Sequence, residues 1–497
     1  AYASLLRSRR QPLHARIATT LEEQFPEIVT AQPELLAHHY TEAGRLEKAI
    51  PAWLTAGQQA LARSALEEAV VQLRKGLALL SGVPDDTWRR QRELELQVAL
   101  GRALMATKGH ASPAMGQAYA RARQLCEQLH RPPQLVPVLF GQCMYHFMRA
   151  ELEQARQHAA EMRRLGEAQD DVRLRLMGRR LSGQPELCLG EFAAARTHLE
   201  QGLALFDPEH RPFYAVLALQ DARVALLSFL SLTLVCLGHL DQARARIDEA
   251  LAEARQLGQA YTLVFALFFA LFHACLGGSG VHSAHAVLRR AEELAALTTE
   301  HDFPLFGSAA PVFRGWCLVT LGQEAEGIAL LRHGLAAYRA TGAVLWVPCY
   351  LMLLADAYTK ARQPEEGLKQ LAEAAGVIET TRERWVEAEL HRVRGELLKA
   401  AGDRATAEES FGAALAVARR QSAKLWELRA AMSLARLWRE QGKPGEARDL
   451  LAPIYGWFSE GFDTSDLREA KALLQELALA LLPDGRGRSG TPLIPGE

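Results

Sequence analysis

Neither sign of charge dominates this sequence: 57 basic residues face 58 acidic ones, a formal net charge of −1 over 497 residues. A chain so balanced has no long basic stripe for nucleic acid, so direct nucleic-acid binding is not expected. Cysteine is sparse. The seven, at 126, 143, 188, 236, 275, 317 and 349, form no CxxC pair and fall on apolar segments. That spacing argues against zinc and redox chemistry and suits reduced core thiols in a cytoplasmic protein. No apolar run reaches the ~20 residues of a membrane span. The most apolar, Tyr261 to Leu276, is interrupted by His273. It and Val224 to Leu237 suit helices buried on all sides, so no membrane partner is expected. The chain opens AYASLLRSRRQ, with no apolar stretch after its basic residues and no initiator Met. The expectation is a fragment without a signal peptide.

Catalytic constellations are missing too. There is no G-x-x-x-x-G-K-[ST] phosphate loop and no H-E-x-x-H. Gly277 to Gly280 lacks the Lys and Ser/Thr of a phosphate loop and falls where a turn is due. The adjacent His38 and His39 point in different directions on a helix, and His282/His285 have no third ligand in view. Asp85-Asp86 and Asp170-Asp171 sit at loop–helix junctions, where capping accounts for them. The expectation is a chain with no enzymatic activity of its own, no cofactor and no metal.

A repeat is what the sequence does contain. Gly402, Ala407, Phe411 and Ala414 set out an order of turn residue, small, large, small. The order returns at intervals of 40, at Gly322, Gly327, Leu331, Gly334, at Arg362, Gly367, Leu371, Ala374, and at Gly442, Ala447, Leu451, Ile454. A fixed period of this size marks an array of helix pairs, and Ala, Leu, Arg and Glu fill the intervals as helix formers. Small residues let paired helices approach, and the large one fills the space towards the next unit. Stacking is then obligatory, and the predicted fold is all-α, a right-handed superhelical α-solenoid with a period near 40 residues. The array is expected over residues 31–482, ending in a capping helix from Thr464 to Leu482. A helical preamble over 1–30 precedes it, and a disordered tail over 483–497 follows. Three irregularities stand out. Between residues 44 and 110 the spacing drops to 20, as if one helix served two units. The turn from Lys108 to Pro113 is long. Phe206 to Pro212, FDPEHRP, reads as a surface loop insertion.

The order resembles the tetratricopeptide repeat, through Trp53 with Gly57, Leu36, Ala37 and Tyr40, Leu354, Ala355 and Tyr358, and Ala407, Phe411 and Ala414. The longer period and the missing closing proline in the last units resemble the long-repeat variety of MalT-like bacterial regulators. The runs AYASLLRSRRQPLHARIATTLEEQFPE and PELLAHHYTEAGRLEKAIPAWLTAGQQALARSALEEAVVQLRKGLALL resemble the segment after the ATPase in bacterial adenylate or guanylate cyclase–STAND ATPase proteins. That resemblance implies a signalling or transcription-regulatory context, with nucleotide chemistry in upstream domains that this chain does not contain.

Function is therefore expected on a surface. Inward-facing residues of the last first-helices are Met352, Asp356, Arg392, Glu396, Lys399, Met432, Arg436 and Arg439. Arg392, Arg436 and Arg439 suit a strip that grips a carboxylate or an acidic peptide. A solvated face neutralised by Asp356 and Glu396 is the simpler reading of the same residues. Two functions stay open: a scaffold that binds a protein or peptide in the superhelical groove, and a sensor arm that binds a small effector and controls an attached ATPase or cyclase. The aromatic run of Phe265, Phe268, Phe269 and Phe272 supports the second, although core packing explains it as well.

Overall fold

A computed structural model describes residues 7–481, apart from 64, 85, 131–132 and 278–280. The expected tail and most of the Gly277–Gly280 turn lie outside the described residues. Among those described there are twenty-five α-helices and no strand. The chain is an α-solenoid of stacked helix pairs, and one pair shows how the 40-residue grammar works. Gly402 adopts φ +90°, a left-handed conformation open to glycine, and ends the helix Glu387–Ala400. Asp403 then caps the helix Arg404–Arg420 by accepting from the Thr406 amide at 3.1 Å. Ala407, Phe411 and Ala414 are fully buried. The Phe411 ring lies over Gly395 of the partner helix, where an added Cβ would stand 2.4 Å from it. Gly57 under Leu73 and Gly183 under Leu199 repeat the arrangement, at 2.5 and 2.7 Å. Small residues on the first helix thus receive the large residue of the second.

Helices run through the irregular regions as well. The 20-residue spacing has a plain cause: the helix Leu46–Ala62 packs against both Pro33–Glu42 and Leu66–Leu79. The insertion at Phe206 to Pro212 is not a surface loop. It forms a 3-10 turn, Pro208–His210, that runs into a short helix, Arg211–Leu217, with Tyr214 and Leu217 buried. Asp86 and Asp171 cap the helices that follow them, accepting from the amides of Arg89, and of Arg173 and Leu174. The capping helix spans Ser465–Ala480.

Successive superhelical turns lie directly on one another. The amides of Val344 and Leu345 donate to the Met148 carbonyl, and those of Arg384 and Trp385 to the Cys188 carbonyl. Leu345 and Met148 are 197 positions apart, as are Trp385 and Cys188, so one superhelical turn takes about five 40-residue units. Each contact joins the end of one first-helix to the start of another, one turn later. Further on, Arg244 pairs with Asp463 at 2.9 Å, and the Gly461 amide donates to Asp241 at 2.9 Å. The Arg429 guanidinium donates to Asp466 and to the Leu276 carbonyl, each at 2.8 Å. Stacked this closely, the turns fill the inside of the superhelix. Every residue of Val224–Leu237 is buried, and so is Phe265–Phe272. Among the described residues no single helix is long and apolar enough to cross a membrane.

Candidate functional site

The strip expected on the last first-helices is already neutralised. Asp356 pairs with Lys360 at 3.2 Å. Arg392 holds Glu389 through two nitrogens, at 2.9 and 3.1 Å. Glu396 accepts from Ser433 at 2.6 Å, and Lys399 pairs with Glu440 at 2.6 Å. Arg436 pairs with Glu469 at 2.8 Å, and Arg439 with Glu476. Met352 and Met432 are core residues, each 3% exposed. The named residues run along neighbouring helices, but every cation among them has a carboxylate partner. A ligand would have to displace those partners.

Space opens elsewhere, where the repeat is irregular. A cleft of ≈ 970 Å³ lies between the first units and the middle of the array. Arg102 and Ala106 line one side, and Arg211, Tyr214 and Ala215 of the insert helix line the other. The Arg102 guanidinium reaches across to donate to the Ala215 carbonyl at 3.1 Å. The insert is held by charge: Arg211 pairs with Asp221 at 3.0 Å and with Glu253, while Arg223 pairs with Glu253 and Glu249.

Gln220 and Tyr261 form the floor of this cleft and also the edge of a second, inner cavity of ≈ 50 Å³. The inner walls are Phe229, Phe265, Phe268, Phe269, Phe306, Tyr338 and Trp346, with Met144, Met148 and Phe147 beside them. The phenylalanines expected as core are core, and three of them face this cavity as well. Its polar lining consists of His110, from the long turn after Lys108, together with Gln184 and Gln220. All three are almost fully buried, and both glutamine Oε1 atoms lack a hydrogen-bond partner among the described residues.

Arg180 stands one helical turn before Gln184 on the helix Val172–Leu189, and so on the same face. It is 0% exposed. Its Nε, Nη1 and Nη2 are all buried with no hydrogen-bond partner among the described residues. The Phe140 ring lies 5.8 Å away. Burial brings the guanidinium pKa down to about 10, opposed by the nearby Asp221. Asp221 itself is committed elsewhere, with Oδ1 accepting two helix amides and Oδ2 paired to Arg211. Burial, and then the charge of Arg180, push His110 down to about 4, so at neutral pH the imidazole is uncharged. The same positive charge reaches Tyr261 on the cavity edge.

Neither Arg180 nor His110 was singled out from the sequence. The available signal was a polar i, i+4 pair, Arg180 and Gln184, inside the segment LRLMGRRLSGQPELCLG, beside Pro185 in mid-helix. Among the described residues no three His, Cys, Asp or Glu side chains gather as a metal site. All seven cysteines are buried and unpaired. Burial raises the Cys143 thiol to about 12, far from a reactive thiolate.

No family model matches the chain. It is 26% identical over 444 residues to an uncharacterized protein of Rhizobium meliloti (strain 1021), an alignment that covers 88% of this chain and 42% of that protein. The chain thus spans less than half the length of that relative. Among solved structures, a Rap conjugation gene regulator of the plasmid pLS20 in complex with a Phr peptide superposes with a TM-score of 0.46 at 14% identity, over 75% of this chain and 95% of that one. A STAND protein with a tetratricopeptide repeat sensor from Pyrococcus horikoshii gives 0.40 at 15% identity, over 79% and 56%. The Cut9–Hcn1 assembly of the APC/C gives 0.43 at 11% identity, over 96% and 97%. At these scores the superpositions say nothing about a shared site.

Proposed function

We propose that the chain is the interaction array of a longer bacterial signalling or transcription-regulatory protein, and that it captures a peptide or protein segment in the cleft beside the insert helix. One observation carries this reading: an opening of ≈ 970 Å³ lies where the repeat is interrupted by Arg211–Leu217. Insertions in repeat arrays lie on one face, often the binding face, and the cations expected to line a groove elsewhere are already ion-paired. The basic strip at Arg392, Arg436 and Arg439 is the competing contact surface, and its internal ion pairs favour the cleft. Any ATPase or cyclase chemistry belongs to other domains, in a cytoplasmic protein, and the array acts by binding.

The aromatic-lined inner cavity supports a second reading, in which the array is a sensor arm for a small effector and controls an attached nucleotide-binding domain. The first reading is tested in the full-length protein with a photocrosslinking amino acid at Ala106, at Ala215, or at exposed Glu365 on a distant helix. Ala106 and Ala215 are expected to yield the same discrete adduct and Glu365 none. Filling the cleft with Ala215→Trp is expected to remove the Ala106 adduct. Equal labelling at all three positions, or none in the cleft, sinks the proposal.

A further inference from the structure

Three arginines from two adjacent helices gather in one pocket. Arg163 belongs to the helix Leu152–Ala168, while Arg175 and Arg179 stand one turn apart on Val172–Leu189. All three line an opening of ≈ 300 Å³, with Glu167 and Gln201 as its other polar walls and Ala204 and Leu205 as its apolar ones. It shares no lining residue with the cleft beside the insert helix. Glycines bring the arginines together. A Cβ on Gly178 would stand 2.7 Å from the Arg163 Cα, and one on Gly166 would stand 2.6 Å from the Arg175 amide nitrogen. Each helix thus lays bare backbone against the arginine of the other.

Their charges are poorly matched. Arg163 has no hydrogen bond or ion pair among the described residues, and its Nε is buried. The Arg175 Nε is buried and idle in the same way. Arg175 pairs at 3.3 Å with Asp170, whose side chain is 93% exposed and stands outside the pocket lining. Arg179 is steadied by a histidine, donating from Nη1 to His198 Nδ1 at 3.0 Å. Arginine only donates, so the imidazole accepts at Nδ1 and carries its proton on Nε2, 3.4 Å from a Glu186 oxygen. That contact uses one of the three Arg179 nitrogens. Three positive charges then face one lining carboxylate, Glu167, and two are left in excess.

We propose that this pocket binds a phosphate monoester, borne by a serine or threonine side chain or by a small metabolite without a base. Such a group carries about −1.5 to −2 charges at neutral pH and three strong acceptor oxygens. It matches the excess of two charges, and three guanidinium forks can each meet one oxygen or an edge between two. A carboxylate offers one charge and two oxygens, and leaves one arginine unmet. No aromatic side chain lines the pocket, so nothing is placed to stack a nucleobase. None of the seven lining residues is buried. An opening of that kind takes a charged group presented from outside and leaves the rest of the ligand in solvent.

Calorimetry on the full chain in low-salt, phosphate-free buffer tests this with four probes. They are the end-blocked peptide Ala-Ala-phosphoserine-Ala-Ala, its serine and glutamate twins, and glycerol 3-phosphate. A phosphate probe is expected to bind at least about tenfold more tightly than either twin, the scale of a hydrogen bond to a charged group. Arg163→Gln and Arg179→Gln are each expected to weaken phosphate binding by about tenfold or more. Arg164→Gln, at an exposed arginine of the same helix outside the pocket, is expected to change it by less than about twofold. Should Arg163→Gln not fold, Arg163→Lys serves instead, with an expected loss of about threefold or more because the ammonium lacks the fork. Tighter binding of the phosphopeptide than of glycerol 3-phosphate assigns a protein side chain, and the reverse a metabolite. A glutamate twin that binds as well as the phosphate probes overturns the proposal. So does an Arg164→Gln loss as large as that of Arg163→Gln, or no binding by either phosphate probe.

Discussion

Glu383 accepts a hydrogen bond from the indole Nε1 of Trp385 at 3.0 Å, deep in the stack of superhelical turns, and a second from the Trp346 amide at 3.0 Å. The two tryptophans open successive first-helices, and their rings meet edge to face at 5.2 Å. One carboxyl therefore ties two units together at the level where the turns touch.

That carboxyl makes stability depend on pH. Burial raises the Glu383 pKa to about 8, against the pull of the two N–H donors, from an ordinary value of 4.5. Between those values the folded protein keeps a proton that the unfolded chain has released. Stability from this group is thus complete below the unfolded pKa and is lost as pH rises to the folded one. Glu383→Gln keeps an acceptor for both donors and cannot ionise. Melting scans from about pH 5 to about pH 8.5 should show the wild type losing several degrees and the variant holding nearly level. A variant that falls as steeply would assign the pH dependence to other groups.

Trp385 is 0% exposed and its amide is one of those reaching Cys188. Trp385→Ala empties that space and strands Glu383, at an expected ~3–5 kcal/mol or more. Chemical denaturation would measure it. A loss below about 1 kcal/mol would show that the turns do not depend on this contact.

Gly395 faces Phe411 with no room for a methyl group, since a Cβ would stand 2.4 Å from the ring. Gly395→Ala is expected to destabilise by ~1–3 kcal/mol through overpacking. Gly412, one residue beyond Phe411, has open space around its Cβ position, so Gly412→Ala should stabilise by a few tenths of a kcal/mol up to ~1 kcal/mol through helix propensity. Opposite signs in the same assay are the check.

Arg429 bridges the capping helix at Asp466, Glu389 in the preceding unit and the Leu276 carbonyl of the turn below. Lysine offers its three donors from a single nitrogen and cannot reproduce the spread of Nε, Nη1 and Nη2 over these partners. Arg429→Lys should therefore speed proteolysis at the C-terminal end and cost ~1–3 kcal/mol. Arg436→Ala at an exposed pair should change stability by less than ~1 kcal/mol.

The repeat was legible because a turn residue followed by a small, large, small order on the second helix leaves a periodic mark. Gly402, Ala407, Phe411 and Ala414 carry it openly. The stacking of turns was not legible, since it joins residues 197 apart whose only shared feature is position within the unit. Trp346, Trp385 and Trp426 were a faint clue, spaced 39 and 41 residues apart. The inner cavity was legible in part, through Phe265, Phe268 and Phe269. The cleft escaped, because its walls include the insert after Phe206, while the search for a groove followed the regular units. There Arg392, Arg436 and Arg439 looked available, and neighbouring helices supply the carboxylates that occupy them.

Contacts between residues 197 apart also change how the array should unfold. A helical repeat whose units touch only their neighbours behaves as a one-dimensional lattice, which frays from its ends and tolerates loss of whole units. Here Met148 and Leu345, or Cys188 and Trp385, link rows as well as columns. The lattice is closer to two-dimensional, so removing one terminal unit weakens a second boundary five units away, and unfolding should be concerted where an open array would melt in steps.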